Sequence, residues 1–244
     1  MTPDPVRWEG RAAFTLDKPA GLPVLPPHAD PAGDCLLARL RATRPDVDAH
    51  EWPAGFPAGI AHRLDTATSG QILVARTPTD LARIRVSFEQ RHFVKRYVFL
   101  TRKDVPWDSH TVEARLAHDR SRKDRMVVER GRSTPHRGRW YEARTVFERA
   151  GAADALFAWA ATMSTGVTHQ IRVHAAFAGL ALAGDRLYGG GAPEPDWIVP
   201  FLLHHRGLEG PDVEGAPMSP VPEFWPTLRG PDDPHRVSPV PADG

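Results

Sequence analysis

The residues best suited to chemistry fall in two short segments. The first is Gly59-Ile-Ala-His-Arg-Leu-Asp-Thr-Ala-Thr-Ser-Gly70, which runs into an apolar stretch, QILVAR. Asp65 there enters a tight turn rich in Thr66, Thr68 and Ser69. Turn hydroxyls and backbone N–H groups are expected to hydrogen-bond its carboxylate, fix its rotamer and favour its charged form. The same composition also makes an ordinary turn. The second segment is Ser164-Thr-Gly-Val-Thr-His-Gln-Ile-Arg-Val-His174. With Thr168 as N-cap, His169 and Arg172 stand at i and i+3 on one face near a helix start. An arginine there offers its fork to an anion or a buried carboxylate. The plainer alternative is an amphipathic helix with its polar residues toward water, Ile171, Val173 and Ala175 packing inward in either case.

Both segments need elements to hold them. Strands are expected at 12–16, 71–75, 96–101, 141–149 and 155–163, where Val, Phe, Tyr and Trp gather or polarity alternates. Three helices are expected: Asp34 capping CLLARLRATR, Pro78 or Thr79 opening DLARIRVSFEQRH, and Thr168 capping HQIRVHAAFAG up to Gly179. Strands outnumber helices and do not alternate strictly with them. The fold class is therefore α+β, with a mixed, mostly antiparallel central sheet and flanking helices and loops. One domain is expected over 12–226, between a flexible N-terminus at 1–11 and a proline-rich acidic tail at 227–244.

Composition narrows the function classes. The chain has 244 residues, 31 Lys+Arg against 30 Asp+Glu, 41% hydrophobic and 25% charged residues. That suits a globular protein and is too apolar for a disordered one. A single cysteine, Cys35, excludes an internal disulfide and any CxxC site, and fits a reducing, cytoplasmic setting. The N-terminus carries no signal-peptide pattern, and the longest apolar run, about nine residues, is far short of a membrane span. Most of the 25 prolines lie in the first 60 and last 50 residues.

In wording and order the two segments resemble the RluA-type pseudouridine synthases. His62, Arg63, Leu64, Asp65, Thr68, Ser69 and Gly70 match that family's HRLDxxTSG signature. Gly166, Thr168 to His174, Gly179 and Gly184-Asp-Arg-Leu-Tyr-Gly189 match its GRTHQIRVH…G…GDxLYG signature. Asp17-Lys-Pro-Ala-Gly-Leu22 is similar to the KPxGL opening, Lys95-Arg-Tyr97 to the KxY strand, and Leu203-His204 to the LHA strand. The likeness runs from about residue 12 to 206 in one order. It departs at Val167, where the family carries Arg or Lys, and the late His-Pro element has no counterpart in GLEGPDVEGAP. Because the KPxGL match begins at residue 18, the small N-terminal RNA-binding module of many relatives is not expected. The chain reads as a minimal catalytic domain.

The resemblance implies the pseudouridine synthase catalytic fold and a cofactor-free isomerisation of uridine in tRNA or ribosomal RNA. The bond from uracil nitrogen to the sugar breaks, the base turns, and a carbon–carbon bond forms. Asp65 is then the carboxylate beside the anomeric carbon, acting as nucleophile or as base. Arg172 is its partner, and Tyr97 supplies an aromatic face and a hydroxyl near the carbon that loses its proton. His62, Arg63, Thr68, His169 and Gln170 are carried over as substrate-binding. A stacked uridine must be extruded, at a few kcal/mol; Arg63, two residues before Asp65, is expected to enter the gap or hold a phosphate. Lys18, Pro19 and Gly21 read as a structural loop, and the segment from Gly184 to Gly189 as packing beneath the site. The histidines show no metal-ligand spacing, so neither metal nor cofactor is expected.

The near-zero net charge hides an uneven distribution. Residues 115–149 hold eleven Lys+Arg against five Asp+Glu. Arg122, Lys123 and Arg125 head this stretch, with Trp140 and Tyr141 behind, a pattern suited to phosphate contacts and base stacking. A solvated hairpin is the ordinary reading of such a run. The partner expected is RNA, with no membrane, no obligatory protein partner and a monomeric state. Two rivals remain at this level: a catalytically silent RNA-binding or RNA-folding module, and a glycosidase of free nucleosides. The second lacks an evident second acid in the motif.

Overall fold

The computed structural model describes residues 6–153 and 155–227. In chain order the strands are β1 (Val6–Glu9), β2 (Ala13–Lys18), β3 (Ser69–Ala75), β4 (Val94–Thr101), β5 (Ser109–Glu113), β6 (Leu116–Asp119), β7 (Met126–Val128), β8 (His136–Tyr141), β9 (Arg144–Ala153), β10 (Leu156–Met163) and β11 (Leu203–Glu209). Helices α1 (Leu36–Thr43), α2 (Pro78–Glu89) and α3 (Gln170–Phe177) pack beside them. Eight strands form one sheet in the order β1-β2-β3-β11-β4-β10-β9-β5, and β7-β6-β8 form a second. Within the large sheet only β3 and β11 run parallel. The fold is α+β with a mixed, mostly antiparallel sheet.

Side chains alternate across β2 and β3, so each strand feeds two cores. Phe14, Leu16, Ile72 and Val74 pack with Leu36, Leu37 and Leu40 of α1. Ala13, Leu73 and Ala75 pack with Leu81 and Ile84 of α2. The two helices therefore cover opposite faces of this half of the sheet. In the other half, α3 sends Ile171 and Ala175 against Phe99, Phe147 and Trp159.

Where β3 meets β11 the backbones come very close. Gly70 pairs with His205 at φ +118°, and a Cβ there would lie 2.1 Å from the His205 carbonyl oxygen. Only glycine fits. Gly70→Ala should lower the melting temperature clearly, since the strained backbone alone costs about 1–3 kcal/mol before the strands are pushed apart. Thermal unfolding of the variant checks this.

Several local expectations are corrected. Val6–Glu9 is an edge strand on β2, not a loose terminus; Arg7 pairs with Asp17 at 2.7 Å, and Arg44 and Arg76 hold Glu9. Cys35, not Asp34, caps α1, because the Asp34 carboxylate is taken by Arg39 while Cys35 Sγ accepts from Ala38 N–H. Thr77 caps α2. The expected single strand at 141–149 is two, since the chain passes from the small sheet (β8) to the large one (β9) between Tyr141 and Arg144. The segment after β11 wraps the core: Val213 and Trp225 are buried, and Ser219 N–H donates to the Arg206 carbonyl. Of the expected tail at 227–244, residues 228–244 lie outside the described residues, as do the first five of the chain. Among the described residues no helix is long and apolar enough to cross a membrane.

Candidate active site

Asp65 stands in the turn that leads into β3. Thr68 N–H donates to the Asp65 carbonyl at 3.0 Å. The next carbonyl, Thr66, accepts from Gly21 N–H at 2.9 Å and from Lys18 Nζ at 3.1 Å. Lys18 is fully buried and also donates to the carbonyls of Leu22 (2.7 Å) and Pro19 (2.9 Å). The Asp17–Leu22 opening is thus more than the structural loop expected of it: its lysine ties the aspartate turn to the end of β2.

Burial pushes the Lys18 amine down to about 7, with the Asp65 charge pulling the other way. Unfolding restores an ordinary lysine, so the unfolded chain binds more protons from about pH 7 to 10.5. Lys18 therefore favours the folded state at high pH, and that contribution fades as pH falls from about 10.5 to 7. Urea unfolding across this range should show wild-type stability rising relative to Lys18→Met. Parallel curves would contradict the assignment.

The hydroxyl cage expected around Asp65 is absent among the described residues. Ser69 Oγ bonds His204 Nδ1 at 2.9 Å, and Thr68 Oγ1 is buried without a partner. Instead the carboxylate, with its side chain 34% exposed, faces Arg172 Nη1 at 3.6 Å and His169 Nε2 at 3.8 Å. These are charge contacts longer than hydrogen bonds, which leaves the carboxylate room for a ligand.

Arg172 is held from behind. Its Nε and Nη2 donate to the two oxygens of Asp185 at 2.6 and 3.0 Å, and both side chains are nearly fully buried, 8% and 1% exposed. Burial disfavours the guanidinium charge, but Asp185 and then Asp65 more than offset this, and its pKa rises. Phe201 and Tyr188 flank its plane at 4.3 and 4.9 Å. The sequence placed Asp185 only in packing; the structure makes it the bidentate clamp on Arg172. Its signal was the Gly184-Asp185…Gly189 spacing. Gly184 and Gly189 take positive φ, and a Cβ on Gly190 would meet the Leu182 carbonyl at 1.7 Å, so the loop folds tightly enough to return Asp185 to the site.

His169 adopts a left-handed backbone (φ +55°) and, in place of Thr168, starts α3. Tyr188 Oη accepts Met126 N–H at 2.9 Å and lies 2.8 Å from His169 Nδ1. With its acceptor side engaged, the phenol donates to Nδ1, which places the imidazole proton on Nε2, facing Asp65. Burial first, and Arg172 against the pull of Asp65, lowers the His169 pKa and favours this neutral ring.

Tyr97 is buried at the same cleft. Its ring lies 4.5 Å from that of His205, which in turn meets His62 edge-on at 5.6 Å. Burial, then the Asp65 charge, raises its pKa, so it remains a neutral phenol. His62, expected to bind substrate, uses Nε2 to accept Leu73 N–H at 3.1 Å, and burial keeps the ring neutral for that bond. Gln170, also carried over as substrate-binding, spends its amide internally. It accepts from Thr165 Oγ1 and Val167 N–H and donates to the Arg144 carbonyl and Thr145 Oγ1. It shapes the 165–169 loop. Arg63 is exposed on the cleft wall, with no ion pair to a described residue.

The arginine-rich hairpin between β6 and β7 joins the site through Met126, whose N–H donates to Tyr188 Oη, and through the Asp124 charge, which acts on His169. Lys123 is exposed, Arg122 pairs with Asp124 at 3.1 Å and Arg125 with Asp119 at 3.7 Å. Such surface pairs are weak and exchange readily for phosphate. Among the described residues no group of three potential metal ligands gathers.

Asp65, Tyr97, Arg172, His169 and Arg63 thus converge on one open cleft of about 980 Å³. A carboxylate beside a neutral aromatic ring, backed by a locked guanidinium, can act on a sugar carbon as nucleophile or base. Comparison with known proteins decides the family. The sequence profile of RNA pseudouridylate synthases matches residues 13–177. The chain belongs to this family. Among pseudouridylate synthases, the ribosomal large subunit pseudouridine synthase D of Xylella fastidiosa is 33% identical over 236 residues, covering 89% of this chain and 66% of that protein. The chloroplastic RNA pseudouridine synthase 2 of Oryza sativa is 37% identical over 135 residues, 54% of this chain and 29% of its own length. The chain spans 29–66% of the length of these two relatives. The human RNA pseudouridylate synthase domain containing 1 shares the fold, with a TM-score of 0.70 at 22% identity over 94% of this chain and 89% of that one.

Proposed function

We propose that this chain is an RNA pseudouridine synthase that isomerises uridine through Asp65. The observation that carries the reading is the Asp65 carboxylate, open to the cleft yet faced by Arg172, whose fork Asp185 has already filled. Arg172 can therefore orient the carboxylate without capping it. Tyr97 offers its ring to the extruded uracil, and as a neutral phenol it contributes stacking and a hydroxyl, not a standing base. Arg63 is free to enter the space the uridine leaves or to hold a phosphate. Ribosomal RNA is the first substrate to test, from the name of the Xylella relative, with tRNA second. The catalytic unit is residues 12–226 with β1 added at its edge, acting as a cytoplasmic monomer; the single buried cysteine suits a reducing setting. A silent binding module would need no clamped arginine beside an open carboxylate.

Incubation with uridine-labelled unmodified ribosomal RNA and tRNA tests this. An isomerase yields pseudouridine, a glycosidase yields free uracil, and a silent binder yields neither. Neutralising Arg122, Lys123 and Arg125 together should weaken RNA binding and lower the slope of log affinity against log salt by up to about 0.9 per lost phosphate contact. An unchanged salt series would remove the hairpin from the RNA footprint.

A further inference from the structure

A second cleft, of about 720 Å³, opens beside the first. His62, Lys95 and the strip 166–168 line both, so the two are continuous across a shared wall. None of the residues assigned to the isomerisation needs the second cleft. One side is the end of α2, with Arg85, Phe88 and Arg91; the other is β8, with Arg139, Trp140 and Tyr141. Arg91 and Arg139 have no acidic partner among the described residues, and Arg139 lies 4.7 Å over the Tyr141 ring. Trp140 stacks on His136 at 4.3 Å, which fixes its plane.

Lys95 stands at the junction. Its Nζ donates to the Thr165 carbonyl at 3.2 Å and lies 5.3 Å from the Phe88 ring centre, so two of its three N–H donors are unspent among the described residues. A Cβ at Gly166 would sit 2.4 Å from Nζ, so glycine leaves the ammonium its place. Val167, at the position where the family signature has a basic residue, lines both clefts and packs on the apolar cluster of Leu116 and Met126. The cation at the junction is Lys95 instead.

We propose that the second cleft carries the single strand of RNA flanking the extruded uridine, with a phosphate at Lys95 and unpaired bases against Trp140 and Tyr141. This rests on the RNA reading above. Arg85 lies 4.0 Å from Glu89, and Glu142 also lines the cleft, but Arg91, Arg139 and Lys95 keep the lining net positive, and cations interleaved with aromatic faces suit a polyanion with stackable bases. Continuity with the Asp65 cleft gives that strand a path out.

Fluorescence anisotropy tests this with fluorescein-labelled oligouridylates of about four and about twelve nucleotides, lengths that bracket a single-strand site. In the full chain carrying Arg139→Ala and Trp140→Ala, the longer probe should bind about tenfold or more weakly, and the shorter probe within about twofold of wild type. The salt slope for the longer probe should fall by about 0.7 per lost phosphate contact. Arg85→Gln with Arg91→Gln, on the opposite wall, should give the same length-dependent loss. Unchanged binding of the longer probe in both pairs, or equal loss of both probes, would overturn the assignment. A wild type that forms no pseudouridine while the variants still lose the longer probe would defeat the proposed activity and leave the cleft as an RNA site.

Discussion

Asp185→Ala should cost about 3–5 kcal/mol of stability, the cost of leaving one member of a buried ion pair uncompensated. Arg172 would keep its charge in an almost closed setting with Nε and Nη2 unpaired, and only Asp65 would remain nearby. Turnover should fall by about a hundredfold in the molecules that stay folded, because a guanidinium displaced by about 1 Å no longer orients the carboxylate. The loss should appear in kcat, with KM for RNA little changed. Asp185→Ala combined with Arg172→Met separates the two effects. Removing both charges should restore much of the stability, since apolar replacements of a buried pair are often neutral, while turnover stays low. Denaturant unfolding and steady-state kinetics read both quantities. An Asp185→Ala protein as stable and as active as wild type would contradict the clamp.

Much of the site was legible in the sequence because its parts are local. Asp65 falls in a turn announced by Thr, Ser and Gly, and Arg172 follows a helix start by three residues. The long-range parts were not legible. Asp185 reaches Arg172 because Gly184, Gly189 and Gly190 fold their loop back; the glycine spacing signals the turn but not the partner on α3, 13 residues earlier in the chain. Lys18 reads as part of a structural loop; the three carbonyls that surround its ammonium come from that loop and from the distant Asp65 turn, which the loop's own pattern does not announce. Gln170 and His62 are polar residues in motifs, so they invite a ligand-binding reading; their partners are backbone groups.

The central sheet followed from the apolar strands β2, β3, β4 and β10. The edge strand β1 did not, since its four residues alternate half-buried and exposed, as a loose terminus also would. The break between β8 and β9 was hidden because strand formers stand on both sides of it, Trp140 and Tyr141 before and Thr145 to Phe147 after, and the gap, Glu142-Ala143, is only two residues long. Two strands of different sheets meet there, and periodicity cannot register a change of partner. The caps of α1 and α3 each slipped by one residue. In α1 a nearby arginine captured the expected capping carboxylate; in α3 the Gln170 amide tied down Val167 and moved the start to His169.

Asp65→Asn carries the largest expected effect. The substitution keeps the side chain's shape, exchanges one acceptor oxygen for an NH2, and removes the charge that can add to a sugar carbon or take its proton. It leaves the Arg172–Asp185 pair intact, so stability should change by no more than about 1 kcal/mol. Turnover should fall by at least about 10⁴-fold, as for loss of a principal catalytic group. RNA affinity should stay within a few fold, since the arginine-rich surfaces are untouched. The decisive measurement is pseudouridine formed on unmodified ribosomal RNA and tRNA by wild type and Asp65→Asn at matched folded concentration. Pseudouridine from the wild type and essentially none from the folded variant is the expected result. Wild-type protein that makes no pseudouridine on either RNA, or an Asp65→Asn variant that turns over near the wild-type rate, would contradict the account.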